Sequence, residues 1–167
     1  MPLYTADALV LRTYKLGEAD RIVVFLTRDR GKKRGVAKNA RQSRKRFGGA
    51  LEPMTAGRIS YVERERRELV FVNFVEPARS PLSVANGDAL GYMGYFAELI
   101  DEWAQEADPN ETLYRLGVSV VEALVCPHLV LPDIATRRDL DDPAVISEVA
   151  ALVGSVEVVD LLADLAV

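Results

Sequence analysis

Apolar and polar positions change their rhythm once along this chain, near residue 80. Before that point the apolar residues fall in short runs rich in β-branched and large side chains: Ala8–Thr13, Arg21–Thr27, a third run around Arg34–Lys38, then 55–63 and 69–75. Runs of this length and composition, bounded by turn residues, read as strands. Gly17 with Glu18 and Asp20 suits a turn between the first two, Asp29-Arg30-Gly31 a turn into the third, and the polar stretch 63–68 a link to the last. Five short strands in about 75 residues leave no room for crossover helices, which predicts a small antiparallel barrel.

Pro77 and Pro81 bracket an expected linker, and beyond it the period becomes helical. Leu90, Met93, Phe96, Ala97, Ile100 and Trp103 or Ala104 follow the spacing of one helix face. Asp108-Pro109-Asn110-Glu111 predicts a second helix start, with Asp108 capping the unpaired amides and Pro109 at the first helical position. That helix is expected to bury Leu113, Leu116, Val120, Ala123 and Leu124, and to end at Pro127 and Pro132. The remaining sequence is a polar loop followed by short, aliphatic, acidic helical patterns over 144–153 and 156–167. The expected organisation is α+β: a barrel over 1–80, a helical domain over 81–126, and a short acidic helical tail over 127–167.

Composition narrows the class. With 167 residues, 49% hydrophobic and 28% charged, the chain can bury a real core and is neither disordered nor collagen-like. One cysteine, Cys126, allows no internal disulfide and no cysteine zinc cluster, so a reducing cytoplasm is expected. No apolar run reaches membrane-spanning length, and Asp7 and Arg12 interrupt the start where a signal peptide is apolar.

Charge changes the picture more. The net −4 hides two opposed halves. Residues 1–80 carry 18 Lys and Arg against 9 Asp and Glu, a surplus of +9; residues 81–167 carry 3 against 16, a deficit of −13. From Arg30 to Arg46, 9 of 17 positions are basic and none is acidic: Arg30, Lys32, Lys33, Arg34, Lys38, Arg41, Arg44, Lys45 and Arg46. Solvated faces normally mix signs, because dense like charges repel by a few tenths of a kcal/mol per pair. Such a run points to an external counter-charge, and nucleic-acid phosphate is the commonest. Arg12 and Arg21 extend the basic path or pair with Glu18 or Asp20. A small barrel of this type binds single strands through charge and base stacking. Tyr14, Phe47, Tyr61 and Phe71 are the stacking candidates, each also suited to the core; Phe47, between Arg46 and Gly48, has the least core-like setting.

Enzyme chemistry finds little support. His128 is the only histidine and sits in a proline-bounded loop with no nucleophile motif beside it. Cys126 suits a small buried apolar residue, and Asp141-Asp142 before Pro143 a helix start rather than a metal pair. Neither a phosphate-binding P-loop nor a dinucleotide fingerprint is present, and Gly48-Gly49 suits a tight turn. No catalytic residue, cofactor or metal is expected.

Five pieces in register resemble one family. They are Ala8-Leu-Val-Leu-Arg-Thr13, Gly17-Glu-Ala-Asp-Arg-Ile-Val23, Thr27-Arg-Asp-Arg-Gly-Lys32, Arg34-Gly-Val-Ala-Lys-Asn-Ala-Arg41 and Arg46-Phe-Gly-Gly-Ala-Leu-Glu-Pro53. Their order and spacing resemble the amino-terminal domain of the bacterial RecO DNA repair proteins, and the resemblance continues into the helices to about Leu124. It implies an OB-fold followed by helices, and a cytoplasmic, nucleoid-associated recombination mediator rather than an enzyme. Such a protein binds single- and double-stranded DNA, anneals complementary strands and assists RecA loading. The implied partners are RecR, RecF and single-strand-binding protein. The DNA-binding residues are then expected to be Lys32, Lys33, Arg34, Lys38, Arg41, Arg44, Lys45 and Arg46, with Arg12, Arg21 and Phe47. An RNA-binding OB module and a non-catalytic interaction adaptor are the alternatives. The four-cysteine zinc motif of many relatives is missing, and the sequence after Cys126 departs from the family, which suggests a truncated or frame-altered carboxy-terminal region.

Overall fold

The computed structural model describes residues 2–65, 67–83 and 87–125. Five strands come first: β1 (Leu3–Leu16), β2 (Asp20–Thr27), β3 (Gly31–Ala37), β4 (Ala56–Val62) and β5 (Val70–Arg79). A short helix, α1 (Arg44–Phe47), lies between β3 and β4, and α2 (Gly87–Trp103) and α3 (Glu111–Val125) follow the strands. The pairing order β1-β2-β3-β5-β4 returns to β1 and closes a barrel.

The strands are not all antiparallel, as the sequence reading expected. β3 and β5 run parallel over Gly35↔Val70, Val36↔Phe71 and Ala37↔Val72. The reason is parity: a ring of five strands cannot alternate direction throughout, so one seam must be parallel. Here it is the shortest seam, and Gly35 permits its close approach. A Cβ there would come within 2.7 Å of the Val72 side chain and 2.8 Å of Val70.

Strand lengths also differ from expectation. β1 runs on to Leu16, leaving only a tight turn with Gly17 at φ 64° before β2. β5 continues through Pro77, part of the expected linker. Pro77 lies opposite Gly57 on β4, beyond the part of β5 that pairs with β3, so its missing N–H removes no bond on a second side.

The unbroken apolar runs of β1 and β2 have a physical cause: both strands are buried on both faces. Ala6, Ala8, Val10, Val23 and Phe25 point into the barrel with Ile59, Tyr61, Val70, Val72 and Val75. Leu9, Leu11, Val24 and Leu26 point outward and are covered by Met93, Phe96, Ile100, Leu113, Leu116 and Val120 of the helices. Each fully buried Leu or Ile in this second layer contributes about 1.5–3 kcal/mol. Close packing there depends on Gly117, whose Cβ would overlap the Leu9 side chain and reach 3.0 Å from Ile100.

Two helical details correct the sequence reading. Leu90, assigned to the buried face of α2, is 48% exposed; Met93, Phe96, Ala97, Ile100 and Ala104 are buried as expected, and Ala89 and Tyr92 are buried with them. The cap of α3 is Asn110 rather than Asp108, since Asn110 Oδ1 accepts from the Leu113 amide at 2.9 Å. Leu113, Leu116, Val120 and Leu124 are buried as expected, and Ala123 is partly buried. Cys126, His128, Asp141, Asp142 and the acidic tail lie outside the described residues.

Candidate nucleic-acid interface

The basic run divides in two. Its first part lies on β3, where alternation sends Lys32 and Arg34 outward beside the helices. Lys32 Nζ donates to the Asp101 carbonyl at 2.7 Å and lies 3.2 Å from the Asp101 carboxylate. Asp101 is in the last turn of α2, so this ammonium satisfies a helix end as well as a charge. Arg12 Nε reaches the same carboxylate at 2.6 Å. Arg34 pairs with Glu106 at 2.6 Å, and Lys33 with Glu63 at 2.9 Å. The backbone reinforces the junction: the Lys32 amide donates to the Gln105 carbonyl, and the Ala107 amide to the Lys32 carbonyl. Four predicted phosphate ligands therefore have acidic partners within the chain, and Arg12 pairs with Asp101 rather than with Glu18 or Asp20.

The second part lies on the connection between β3 and β4, and it is different. Lys38, Arg41, Arg44 and Lys45 are exposed, and none forms a salt bridge with a carboxylate among the described residues. Their loop is held by backbone bonds. The Arg41 amide donates to the Ala19 carbonyl at 3.1 Å, and its guanidinium to the Glu18 carbonyl at 2.9 Å. The Asn39 amide donates to Asp20 Oδ1 at 2.8 Å, fixing a residue at φ 54°. Arg46 donates to the Lys38 carbonyl at 2.6 Å and to Ser43 Oγ at 3.1 Å. Carbonyl partners position these guanidiniums and leave their charge uncompensated.

Arg21, Arg41 and Arg44 border one concavity of about 500 Å³, also lined by Ala40, Phe47, Gly48, Gly49, Leu51 and Glu52. Three guanidiniums and one carboxylate give it a positive balance suited to a phosphate group. Arg21 comes from β2, so the sequence separates it from the loop while the barrel brings it alongside.

Phe47 is corrected as an exposed stacking residue: it is 2% exposed and packs with Val10, Ala50 and Leu51 in the barrel core. α1 turns its side chain inward and plugs the barrel end, with the Arg46 guanidinium 5.0 Å from its ring centroid. Tyr61 is also fully buried. Tyr14 is exposed and Phe71 half-buried. Arg64, which sequence reasoning passed over, lies 4.4 Å from the Phe71 ring centroid, and Lys38 Nζ lies 5.5 Å from it. Only the mixed-charge stretch 63–68 hinted at Arg64, and its acids obscured the signal.

Among the described residues no group of three or more His, Cys, Asp or Glu side chains could hold a metal ion. No described helix is long and apolar enough to cross a membrane.

Comparison with known proteins supplies the remaining observation. Residues 1–81, the whole barrel, match the family model described as recombination protein O N terminal. Residues 1–81 are a RecO amino-terminal domain. Similarity to RecO extends past the barrel into the helices. The chain is 45% identical over 125 residues to the DNA repair protein RecO of Koribacter versatilis (strain Ellin345), covering 74% of this chain and 51% of that protein. RecO of Bifidobacterium adolescentis is 42% identical over 130 residues, again 74% of this chain and 51% of the relative. RecO of Pelotomaculum thermopropionicum is 34% identical over 125 residues, 74% of this chain and 48% of the relative. The chain thus spans about half the length of the RecO proteins it matches.

Proposed function

We propose that this chain acts in DNA repair and recombination as a non-enzymatic mediator, binding DNA through the basic connection between β3 and β4. The observation that carries this reading is the cluster of exposed Lys38, Arg41, Arg44 and Lys45 with half-buried Arg46, in which Arg41 and Arg44 border a concavity with Arg21, and Arg41 and Arg46 are positioned by carbonyls rather than carboxylates. Lys32, Lys33, Arg34 and Arg12 take a secondary part, because each must first leave an acidic partner. Contacts to phosphate give affinity with little sequence preference. Two strands screened at once, with base edges left unbound, can pair, which is the physical basis for annealing. In a bacterial cytoplasm such a protein assists RecA loading with RecR, RecF and single-strand-binding protein as partners.

The test is fluorescence anisotropy with a labelled single-stranded oligonucleotide across a salt series. With about five phosphates engaged, log K against log salt falls with a slope of about −3.5. Arg41→Gln and Arg44→Gln are each expected to flatten that slope by about 0.7. A slope unchanged by both substitutions, or no binding at low salt, overturns the assignment.

A further inference from the structure

Arg21 at the start of β2 and Arg41 and Arg44 on the loop after β3 border the same concavity of about 500 Å³. Elsewhere on the barrel Arg12, Arg28 and Arg34 each take a carboxylate partner. Here, among the described residues, Glu52 is the only carboxylate on the wall. The side chains of Arg21 and Arg44 make no hydrogen bond and no ion pair with any described residue. Arg41 gives one N–H to the Glu18 carbonyl at 2.9 Å, which fixes its guanidinium and leaves its other donors free.

Charge and shape together select the ligand. Three guanidiniums against one carboxylate leave the concavity with a balance of +2. A phosphodiester within a strand brings a single negative charge, which leaves one cation unanswered. A phosphomonoester carries about −1.5 to −2 at neutral pH and offers three acceptor oxygens, matching both the balance and the number of guanidiniums. The volume is also that of a site for one small ligand, not of a channel for a strand. Gly48 and Gly49 present exposed backbone on the same wall, so no side chain bars a phosphate from that side. Lys38 and Lys45 are exposed on the same loop outside the concavity, placed for the diesters of the nucleotides that follow.

We propose that the concavity between Arg21, Arg41 and Arg44 binds a phosphomonoester, so that the chain holds a DNA strand by a phosphorylated end in preference to its interior. The proposal rests on the DNA-binding reading above and divides its cations into two groups. Arg21, Arg41 and Arg44 take the terminal phosphate, and Lys38 and Lys45 take the backbone that leads away from it. A free mononucleotide carries the same group and is the other source of this ligand chemistry.

The experiment measures anisotropy of the full chain at low salt with short thymidylate strands labelled at the end opposite the phosphate. One strand of about eight nucleotides carries a 5′-phosphate, another a 3′-phosphate, and a hydroxyl-ended strand about two nucleotides longer supplies the same total charge. At least one phosphorylated strand is expected to bind about 5- to 10-fold tighter than the hydroxyl-ended one. Arg21→Gln and Arg44→Gln should each bring that ratio to within about twofold of unity, while Lys45→Gln weakens every strand and keeps the ratio. Free thymidine monophosphate should displace the phosphorylated strand at lower concentration than thymidine does; displacement as effective as that by the phosphorylated strand itself would make the mononucleotide the ligand of the same site. Equal binding of phosphorylated and hydroxyl-ended strands overturns the terminal site and leaves the phosphate-binding loop standing. A ratio that survives both arginine substitutions also overturns it. A variant that loses every strand together has misfolded, and the other arginine variant, on a different element, then decides. Failure of the unsubstituted chain to bind any strand removes the DNA-binding reading itself.

Discussion

Tyr61 shows how one residue couples burial to chemistry in this barrel. Its ring packs against Phe25 and Tyr4 with centroids 5.5 Å apart in both cases, and its hydroxyl is buried without a hydrogen-bond partner. Burial, reinforced by the Glu63 carboxylate, pushes its pKa up from 10.0 to about 12. The fold thus retains a proton that the unfolded chain releases from about pH 10. The phenol's contribution to stability is complete below pH 10 and declines by about 1.4 kcal/mol per pH unit until about pH 12. Tyr61→Phe removes the unpaired hydroxyl and the titration together. Denaturant unfolding should find this variant equal to or up to about 1 kcal/mol more stable at neutral pH. It should also lack the extra alkaline loss; a loss identical in both proteins would refute the assignment to Tyr61. Phe47 teaches the complementary lesson. Its neighbours Arg46 and Gly48 suggested exposure, but neighbours report the path of the backbone and not the direction of a side chain. One turn of α1 suffices to aim the ring into the barrel.

At the scale of elements, legibility follows from how many faces are buried. β1 and β2 were readable as apolar runs because helices cover their outer faces, and α2 and α3 were readable from helical spacing. The parallel β3–β5 seam left no mark in local pattern, since strand direction is a property of ring closure. The junction between β3 and α2 was equally hidden. Asp101 is 89 residues from Arg12 and 69 from Lys32, and a carboxylate in the last turn of a helix opposes its dipole when considered alone. Only the fold shows that two cations, from β1 and β3 on either side of β2, meet it, with side-chain exposures of 12% for Lys32 and 18% for Asp101. Partial burial makes such a group more consequential than a surface pair, and removing it leaves Lys32 with one partner fewer. Asp101→Ala is therefore expected to destabilise the chain by about 1–3 kcal/mol, seen as a lower denaturation midpoint with an unchanged slope. A midpoint unaltered by the substitution would mean that the barrel and helices are joined by their apolar layer alone.

At the scale of the whole molecule, the opposed charges of the two halves meet at one junction. Arg34 with Glu106, Arg28 with Glu111, and Arg12 and Lys32 with Asp101 bring acids of the helical half onto cations of the barrel. The loop carrying Arg41, Arg44 and Lys45 lies outside this pairing, which explains how one chain with net charge −4 can keep a positive surface. The sequence revealed the asymmetry and not its geometry, because charge totals carry no distances. Arg34 and Glu106 are each 55% exposed, so their pair is worth at most about 1 kcal/mol and phosphate can compete for the guanidinium. If the DNA path reaches the β3 face, Glu106→Gln both releases Arg34 and removes a charge that repels the strand. Single-strand affinity should then rise about two- to fivefold at low salt, with the advantage shrinking as salt screens it. Unchanged affinity would confine the path to the β3–β4 connection and assign the acids of the helical half a purely structural role. A gain that vanishes in salt would instead make the helical half an electrostatic limit on how much of the barrel DNA can occupy.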